Sequence, residues 1–364
     1  MLNLKEKNEY LDPNEIKGFV FNFIGGEPFL QIDLIEQVTD YIISTMLKNN
    51  DDRILFTKFL ICSNGTLYFN KKVQDYITKY SGWVSLSISI DGNKELHDSC
   101  RIFPDGTGSY DLAIAAAKHY KELTGEFPTT KITLSPNNVA YLFEAAKNLI
   151  DVGYRFILGN VVFEEGWNLN HAKIYYKELL KLADYILDND YEFDRYIAFF
   201  EDPEEGNFFL PYNWNDDDDI RNWCGGNGDM IAMNHTGQFY PCLRYMEDSL
   251  NGQVPPFIVG DVERGFVPTE EQKQKILELK KVNTYTQSSD ECRNCPIAKG
   301  CAWCQAYNYQ CTGCVNQRVT FICPMHKARC LANEYYWNKL YKKHGVDKTF
   351  SNNMKQEWID ELLN

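Results

Sequence analysis

Val84-Ser85-Leu86-Ser87-Ile88-Ser89-Ile90-Asp91-Gly92 alternates without a break. In a strand, successive side chains point to opposite faces, so Val84, Leu86, Ile88 and Ile90 share one face. Ser85, Ser87, Ser89 and Asp91 share the other. A strand buried within a parallel sheet is normally apolar on both faces. A row of hydroxyls that ends in a carboxylate therefore points to a lumen that takes a polar ligand at the C-terminal ends of the strands. An edge strand with one wet face is the other reading of this stretch alone.

Outward from it, the first two hundred residues repeat a strand-then-helix rhythm. Phe19 to Ile24 is a short apolar run closed by Gly25-Gly26, and Leu34, Ile35, Val38 and Ile42 follow at helical spacing. Leu55 to Cys62 runs into Ser63-Asn64-Gly65, and Asn70 is placed to cap a helix carrying Val73, Ile77 and Tyr80. After Asp91-Gly92 a glycine-rich loop leads to a helix with Leu112, Ala115, Ala116, His119 and Leu123. Thr129 to Leu134 and Arg155 to Val162 are two more strands, flanking a helix of Val139, Leu142, Phe143, Ala146 and Ile150. Such units predict a parallel sheet with helices outside it.

The second half carries nine of the twelve cysteines, all between Cys224 and Cys323. Gly237 is followed by Cys242, then comes Cys292-x2-Cys295-x5-Cys301-x2-Cys304, with Cys311-x2-Cys314 and Cys323 beyond. Thiolates two residues apart can bite one metal centre from a tight turn, and several such pairs at unequal gaps suit two iron–sulfur centres. A pair of structural zinc ribbons is the alternative. Met1 to Tyr10 is polar and does not resemble a signal peptide, so a reducing, cytoplasmic setting is expected, where closely spaced cysteines bind metal more often than they bridge.

The chain of 364 residues is long enough for one large and one smaller domain. A formal net charge of −14 speaks against nucleic acid, whose phosphates need basic patches. No apolar run is long enough to span a bilayer. The acidic stretches Glu201 to Glu205 and Asp216 to Asp219 read as solvated loops. The expected division is residues 1–200, an acidic linker 201–222, a cysteine-rich domain 223–332 and a helical tail 333–364.

Phe23-Ile24-Gly25-Gly26-Glu27-Pro28-Phe29-Leu30, Ser63-Asn64-Gly65-Thr66, Ser87 to Gly92 with His97, Asp98 and Arg101, and the cysteine ladder, taken in this order, resemble a radical SAM enzyme with a C-terminal SPASM domain. The resemblance covers nearly the whole chain. Phe321-Ile322-Cys323-Pro324-Met325-His326-Lys327-Ala328 further resembles SPASM peptide maturases, those acting on Cys-x-x-x repeats most of all. It implies an α/β fold, a partial (β/α)6 barrel lacking its first strand followed by a small SPASM domain.

Residue by residue, the resemblance places the amino group of S-adenosylmethionine at Gly25, Gly26 and Glu27. It places Asn64 and Ser89 on the cofactor or substrate pocket and Asp91, the candidate catalytic residue, at its mouth. Asn64, Ser89 and Asp91 read equally as Asx or Ser turns, and His97 and Arg101 as loop organisers. Cys224, Cys242 and Cys304 match ligands of a first auxiliary [4Fe-4S] cluster, and Cys292, Cys295, Cys301 and Cys323 a complete set for a second. The first set lacks a fourth thiolate before Cys224, which leaves an iron open to a substrate thiolate. Two residues, where the family has three, separate Cys301 from Cys304. Cys311 and Cys314 are either an extra ligand pair or a surface pair, and Cys62, Cys100 and Cys330 read as ordinary residues.

The implied activity is maturation of a ribosomally made peptide. A hydrogen is abstracted from a peptide carbon, a cysteine sulfur closes a thioether, and an electron donor such as flavodoxin or ferredoxin serves the clusters. A sulfatase-type formylglycine maturase and a non-catalytic iron–sulfur protein that binds peptide or passes electrons are the alternatives. The family's Cys-x3-Cys-x2-Cys for the catalytic cluster precedes its Gly-Gly-Glu; here twenty-four residues precede Gly25, none of them cysteine. A lost N-terminus or a degenerate relative that binds without reacting are the two expectations, and S-adenosylmethionine binding is expected to be weak in this chain.

Overall fold

The apolar run from Phe19 forms strand β1 (Val20–Phe23) in the computed structural model, which describes residues 17–202 and 209–364. The expectations for Met1 to Tyr10 and for part of the acidic stretch at Glu201 lie outside these. By contacts the chain divides into two compact units, Met1–Asn160 with Lys181–Phe199, and Val161–Leu180 with Phe200–Asn364.

In the first unit β1 leads through α1 (Ile32–Lys48) to β2 (Lys58–Ser63), and α2 (Lys71–Lys79) leads to β3 (Val84–Ile88). These strands form a parallel sheet in the order β1-β2-β3, with Phe23 opposite Ile61 and Ser63 opposite Ile88. After α3 (Lys94–Asp98) and α4 (Tyr110–Thr124) comes a second sheet in the order β4-β5-β6. Its members are β4 (Lys131–Leu134), β5 (Phe156–Val161) and β6 (Tyr196–Ile197), with α5 (Leu142–Val152) and α6 (Leu169–Asp188) between them. A parallel bridge from Ser87 to Thr129 joins β3 to the segment entering β4. The strand–helix rhythm of the sequence is thus the rhythm of the fold.

The alternation in β3 is realised as read: Val84, Leu86, Ile88 and Ile90 are buried and Ser85, Ser87 and Ser89 half-buried. Asn70 caps α2, accepting from the Lys72 N–H. Three local expectations are corrected. Asp51 caps a 3-10 turn over Asp52–Phe56, so β2 begins only at Lys58, not at Leu55. On α1 the buried stripe runs through Ile32, Ile35, Thr39, Ile42, Ile43 and Met46, and Leu34 is exposed. On α4 the buried side is Ala113, Ile114, Ala116, Ala117 and Tyr120, whereas Leu112 and Leu123 face outward. Small alanines let that helix lie close to the sheet, and burying a leucine there would push it off.

The second unit holds an antiparallel sheet in the order β10-β9-β8-β7, built from β7 (Ala232–Met233), β8 (Gln238–Tyr240), β9 (Gly260–Asp261) and β10 (Gly265–Phe266). Its helices are α7 (Asp217–Ile220), α8 (Glu247–Leu250), α9 (Glu270–Lys281), α10 (Thr284–Gln287), α11 (Asp290–Arg293), α12 (Gln305–Thr312), α13 (Cys323–Lys343) and α14 (Gln356–Leu363). Among the described residues no helix is long and apolar enough to cross a membrane.

Candidate functional site

Every candidate of the first unit lies just past the C-terminal end of β1, β2 or β3, which are neighbours in the sheet. Glu27 ties them together. Its Oε1 accepts from the Ser63 hydroxyl at 2.8 Å and the Phe29 N–H at 3.1 Å, and its Oε2 accepts from the Asn64 N–H at 2.8 Å. The Ser63 hydroxyl in turn accepts from the Gly65 N–H at 2.9 Å, and the Ser89 N–H donates to the Ser63 carbonyl at 3.0 Å. With its carboxylate so occupied, Glu27 offers a ligand only its backbone. Gly25 and Gly26 stay open, since a Cβ built on either meets nothing within 4 Å, and Gly25 has φ +146°. Such bare backbone lets a polar ligand approach closely. Replacing Glu27 by Gln weakens two or three charge-assisted bonds, and a loss of about 2 kcal/mol in chemical denaturation is expected.

The Asn64 side chain is spent on a turn, its Oδ1 accepting from the Thr66 N–H at 2.9 Å and the Thr66 hydroxyl at 2.7 Å. The Asp91 carboxylate pairs with the Arg101 guanidinium and lies 3.6 Å from the Cys100 thiol. His97 is fully buried, and burial lowers its pKa, so the ring is neutral. Its Nδ1 accepts from the Asp91 N–H at 3.3 Å, which puts the ring proton on Nε2, 3.1 Å from the Ser109 hydroxyl. His97 and Arg101 thus shape the loop that carries Asp91. Cys62 lies on β2, its thiol 3.8 Å from Asn22 Oδ1, with Ser87 beside it and Lys131 near.

In the second unit the seven candidate thiols fall into two groups. Cys224 and Cys242 flank Gly226: a Cβ there would stand 3.3 Å from one sulfur and 3.7 Å from the other. Cys304 is a neighbour of both, and the side chain of Gln305 next to it reaches to 3.1 Å from the same point. Each of the three precedes a helical turn: Cys224 the Gly225–Asn227 turn, Cys242 the Leu243–Tyr245 turn and Cys304 α12, where its sulfur accepts from the Tyr307 N–H at 3.4 Å. The Arg244 guanidinium lies close to Cys304 and Cys242 and pairs with Glu164.

The other four, Cys292, Cys295, Cys301 and Cys323, line one cavity of about 350 Å³. Half-buried Arg318, whose Nη2 donates to the Cys301 carbonyl at 2.9 Å, stands on its wall, and so do His326 and Trp358 of α14. Cys311 and Cys314 do not line the cavity of the second group; Cys311 is exposed and lies beside the Tyr307 side chain. Cys330 is buried in α13.

The donor chemistry, thiols alone in a group of three and a group of four, is of the kind that iron–sulfur clusters take. Among the described residues no three His, Cys, Asp or Glu side chains converge into a site for a single metal ion. The glycine at Gly226 keeps room between two sulfurs. The catalytic cluster is different: the thiol beside β1 is that of Cys62, 3.8 Å from Asn22 Oδ1, a single thiol where the family's motif supplies three. The residues present do not fit that group.

Burial drives the Cys242 thiol up to about 12 and the Cys323 thiol up to about 11, against an ordinary 9.0. In the metal-free chain the folded state therefore holds these protons more tightly than the unfolded one. The stability this contributes is complete below pH 9 and is lost as pH rises towards 11, at about 1.4 kcal/mol per pH unit and thiol. Denaturation curves of metal-free protein at pH 8 and 10.5 are expected to show that loss, and metal-loaded protein, whose thiolates are already ionised, is expected to lack it.

No protein-family model matches the chain. An uncharacterized protein of Methanocaldococcus jannaschii is 31% identical over 144 residues, 40% of this chain and 46% of that protein, so the match spans less than half of its length. Among solved structures, anSMEcpe, an anaerobic sulfatase-maturating enzyme, with bound AdoMet and the Kp18Cys peptide is similar at a TM-score of 0.55 and 16% identity, over 90% of this chain and 86% of that one. A histidine-tagged form of anSMEcpe with bound AdoMet gives 0.56 and 15%, over 96% and 86%. SuiB of Streptococcus suis bound to S-adenosylmethionine gives 0.50 and 15%, over 84% and 65%. The chain thus has the α/β fold that the radical SAM/SPASM resemblance implies, similar to structures of AdoMet-binding enzymes.

Proposed function

We propose that this chain is a radical SAM/SPASM peptide maturase, or the larger part of one, which modifies a ribosomally made, cysteine-containing peptide by thioether formation. The observation that carries the reading is the sorting of seven interleaved cysteines into a group of three and a group of four. Structural neighbours described with AdoMet and with peptides support it. Cys224, Cys242 and Cys304 would hold the first auxiliary cluster, and Cys292, Cys295, Cys301 and Cys323 the second. The open backbone of Gly25 and Gly26 would receive the cofactor's amino end, with Glu27 fixing the loop, Ser89 beside it, and Asp91 and Asn64 at the rim. Bound there, the two clusters would supply electron transfer, and the first an open iron for a substrate thiolate. No step is assigned to a catalytic cluster. A cytoplasmic setting and a small electron-transfer protein as donor belong to this reading.

Similarity to anSMEcpe favours a second reading, oxidation of cysteine or serine to formylglycine. A peptide pair separates them. Metal-loaded protein is expected to bind a cysteine-containing peptide about tenfold more tightly than its serine counterpart, about 1.4 kcal/mol, with a change in the visible spectrum. Equal affinity with no spectral change would remove the thioether reading.

A further inference from the structure

Gln305 is fully buried at the start of α12, next to Cys304. Its Oε1 accepts from Asn222 Nδ2 at 3.1 Å, and Asn222 Oδ1 accepts from the Cys224 N–H at 2.8 Å. Turning the Gln305 amide over would set two donors face to face, so its orientation is fixed and Nε2 must be the other end. That nitrogen finds no acceptor among the described residues. It lies 3.1 Å from the point where a Gly226 Cβ would stand, the same point that lies 3.3 Å and 3.7 Å from the Cys224 and Cys242 sulfurs.

Tyr245 repeats the pattern from the other chain segment. It is fully buried, its hydroxyl finds no acceptor among the described residues, and its ring packs at a tilt against Phe257 and Tyr309 at centroid distances of 5.0 and 6.0 Å. Tyr245 ends the Leu243–Tyr245 turn that Cys242 opens, its N–H donating to the Cys242 carbonyl at 3.1 Å, and Cys242, Cys304 and Cys224 are its ionisable neighbours. Burying one polar hydrogen without a partner costs free energy, and two around one group of thiols call for a shared acceptor.

We propose that the Gln305 side-chain amide and the Tyr245 hydroxyl are hydrogen-bond donors to the sulfurs of a cluster held by Cys224, Cys242 and Cys304, and that together they raise its reduction potential. The inference rests on the two-cluster reading. Taking up one electron puts more negative charge on the sulfurs, and a donor aimed at them stabilises that form more than the oxidised one. Neither donor gives up its proton in the exchange. Both are positioning residues: they set how readily the first centre accepts an electron and touch no substrate.

Redox titration followed by electron paramagnetic resonance tests this on reconstituted full-length protein. Tyr245→Phe keeps the ring contacts, and Gln305→Leu leaves Asn222 Nδ2 its bond to the Val282 carbonyl at 2.9 Å, so both are expected to fold and load iron normally. Each is expected to shift the first centre to a more negative potential, the double variant further, with the second centre unmoved. A variant that loses the centre leaves the unaltered protein to decide: labelled with side-chain 15N-glutamine, it is expected to show a 15N coupling to the reduced first centre. Normal loading with an unshifted potential, or no 15N coupling, overturns the inference alone. No iron dependent on Cys224, Cys242 or Cys304 overturns the two-cluster reading with it.

Discussion

Reconstituted without oxygen in excess iron and sulfide, the protein is expected to take up about eight irons per chain, and its Cys301→Ala variant about four. Cys301 lines the cavity with three other thiols, and Arg318 holds the backbone around it. Losing one of four ligands should cost the whole second centre and with it the folding free energy its metal supplies, so Cys295→Ala and Cys301→Ala should unfold the second unit at far lower denaturant than the parent. Cys330→Ala is the control. Its thiol is buried inside α13, outside both groups, and loses only packing, about 1 kcal/mol. Equal effects in all three variants, or two zinc ions per chain without iron–sulfur absorption, would refute the ligand assignment.

The second large effect is expected at Gly92, the residue that ends the alternating stretch. Its φ is +121°, and a Cβ there would stand 2.4 Å from the Ala145 Cβ and 2.6 Å from the Ala145 Cα on α5. Backbone strain and collision with a helix backbone act together, so Gly92→Ala is expected to cost about 3 kcal/mol or more. Gly26→Ala supplies the contrast. Nothing lies within 4 Å of its Cβ position, so stability should hardly change while S-adenosylmethionine binding weakens. A Gly92→Ala variant as stable as the parent would mean that α5 packs elsewhere.

The sheet was legible because strand periodicity and turn residues agree there: β3 alternates, and Asp91-Gly92 closes it. The α4 face was not, since Ala113, Ala116 and Ala117 carry little hydrophobic signal while Leu112 and Leu123 carry much, and the sheet selected the small side chains. The end of the apolar run at Leu55 was misread for a similar reason: the Asp51 cap decides a 3-10 turn that hydrophobicity cannot reveal. In the candidate site, cysteine spacing marked the thiols, but the occupation of the Glu27 carboxylate by Ser63 and Asn64 is a long-range fact. Gln305 and Tyr245 were missed altogether. An unpartnered donor becomes visible only when everything around it is placed, and the adjacency of Gln305 to Cys304 was the one hint in the sequence.

The interleaving of the two thiol groups bears on biogenesis. Cys304 completes the first group, yet it follows three members of the second, whose last, Cys323, opens α13; Trp358 of α14 then closes that cavity. A ribosome delivering the chain exposes Cys224 and Cys242 for some sixty residues before their partner emerges, by which time the rival thiols Cys292, Cys295 and Cys301 are already present. On the proposed ligand sets, the first centre could not be finished before Cys304 nor the second before Cys323 has been made. Cluster insertion would then come late in synthesis, and heterologous production is expected to depend on the supply of iron–sulfur carriers more than on the speed of synthesis.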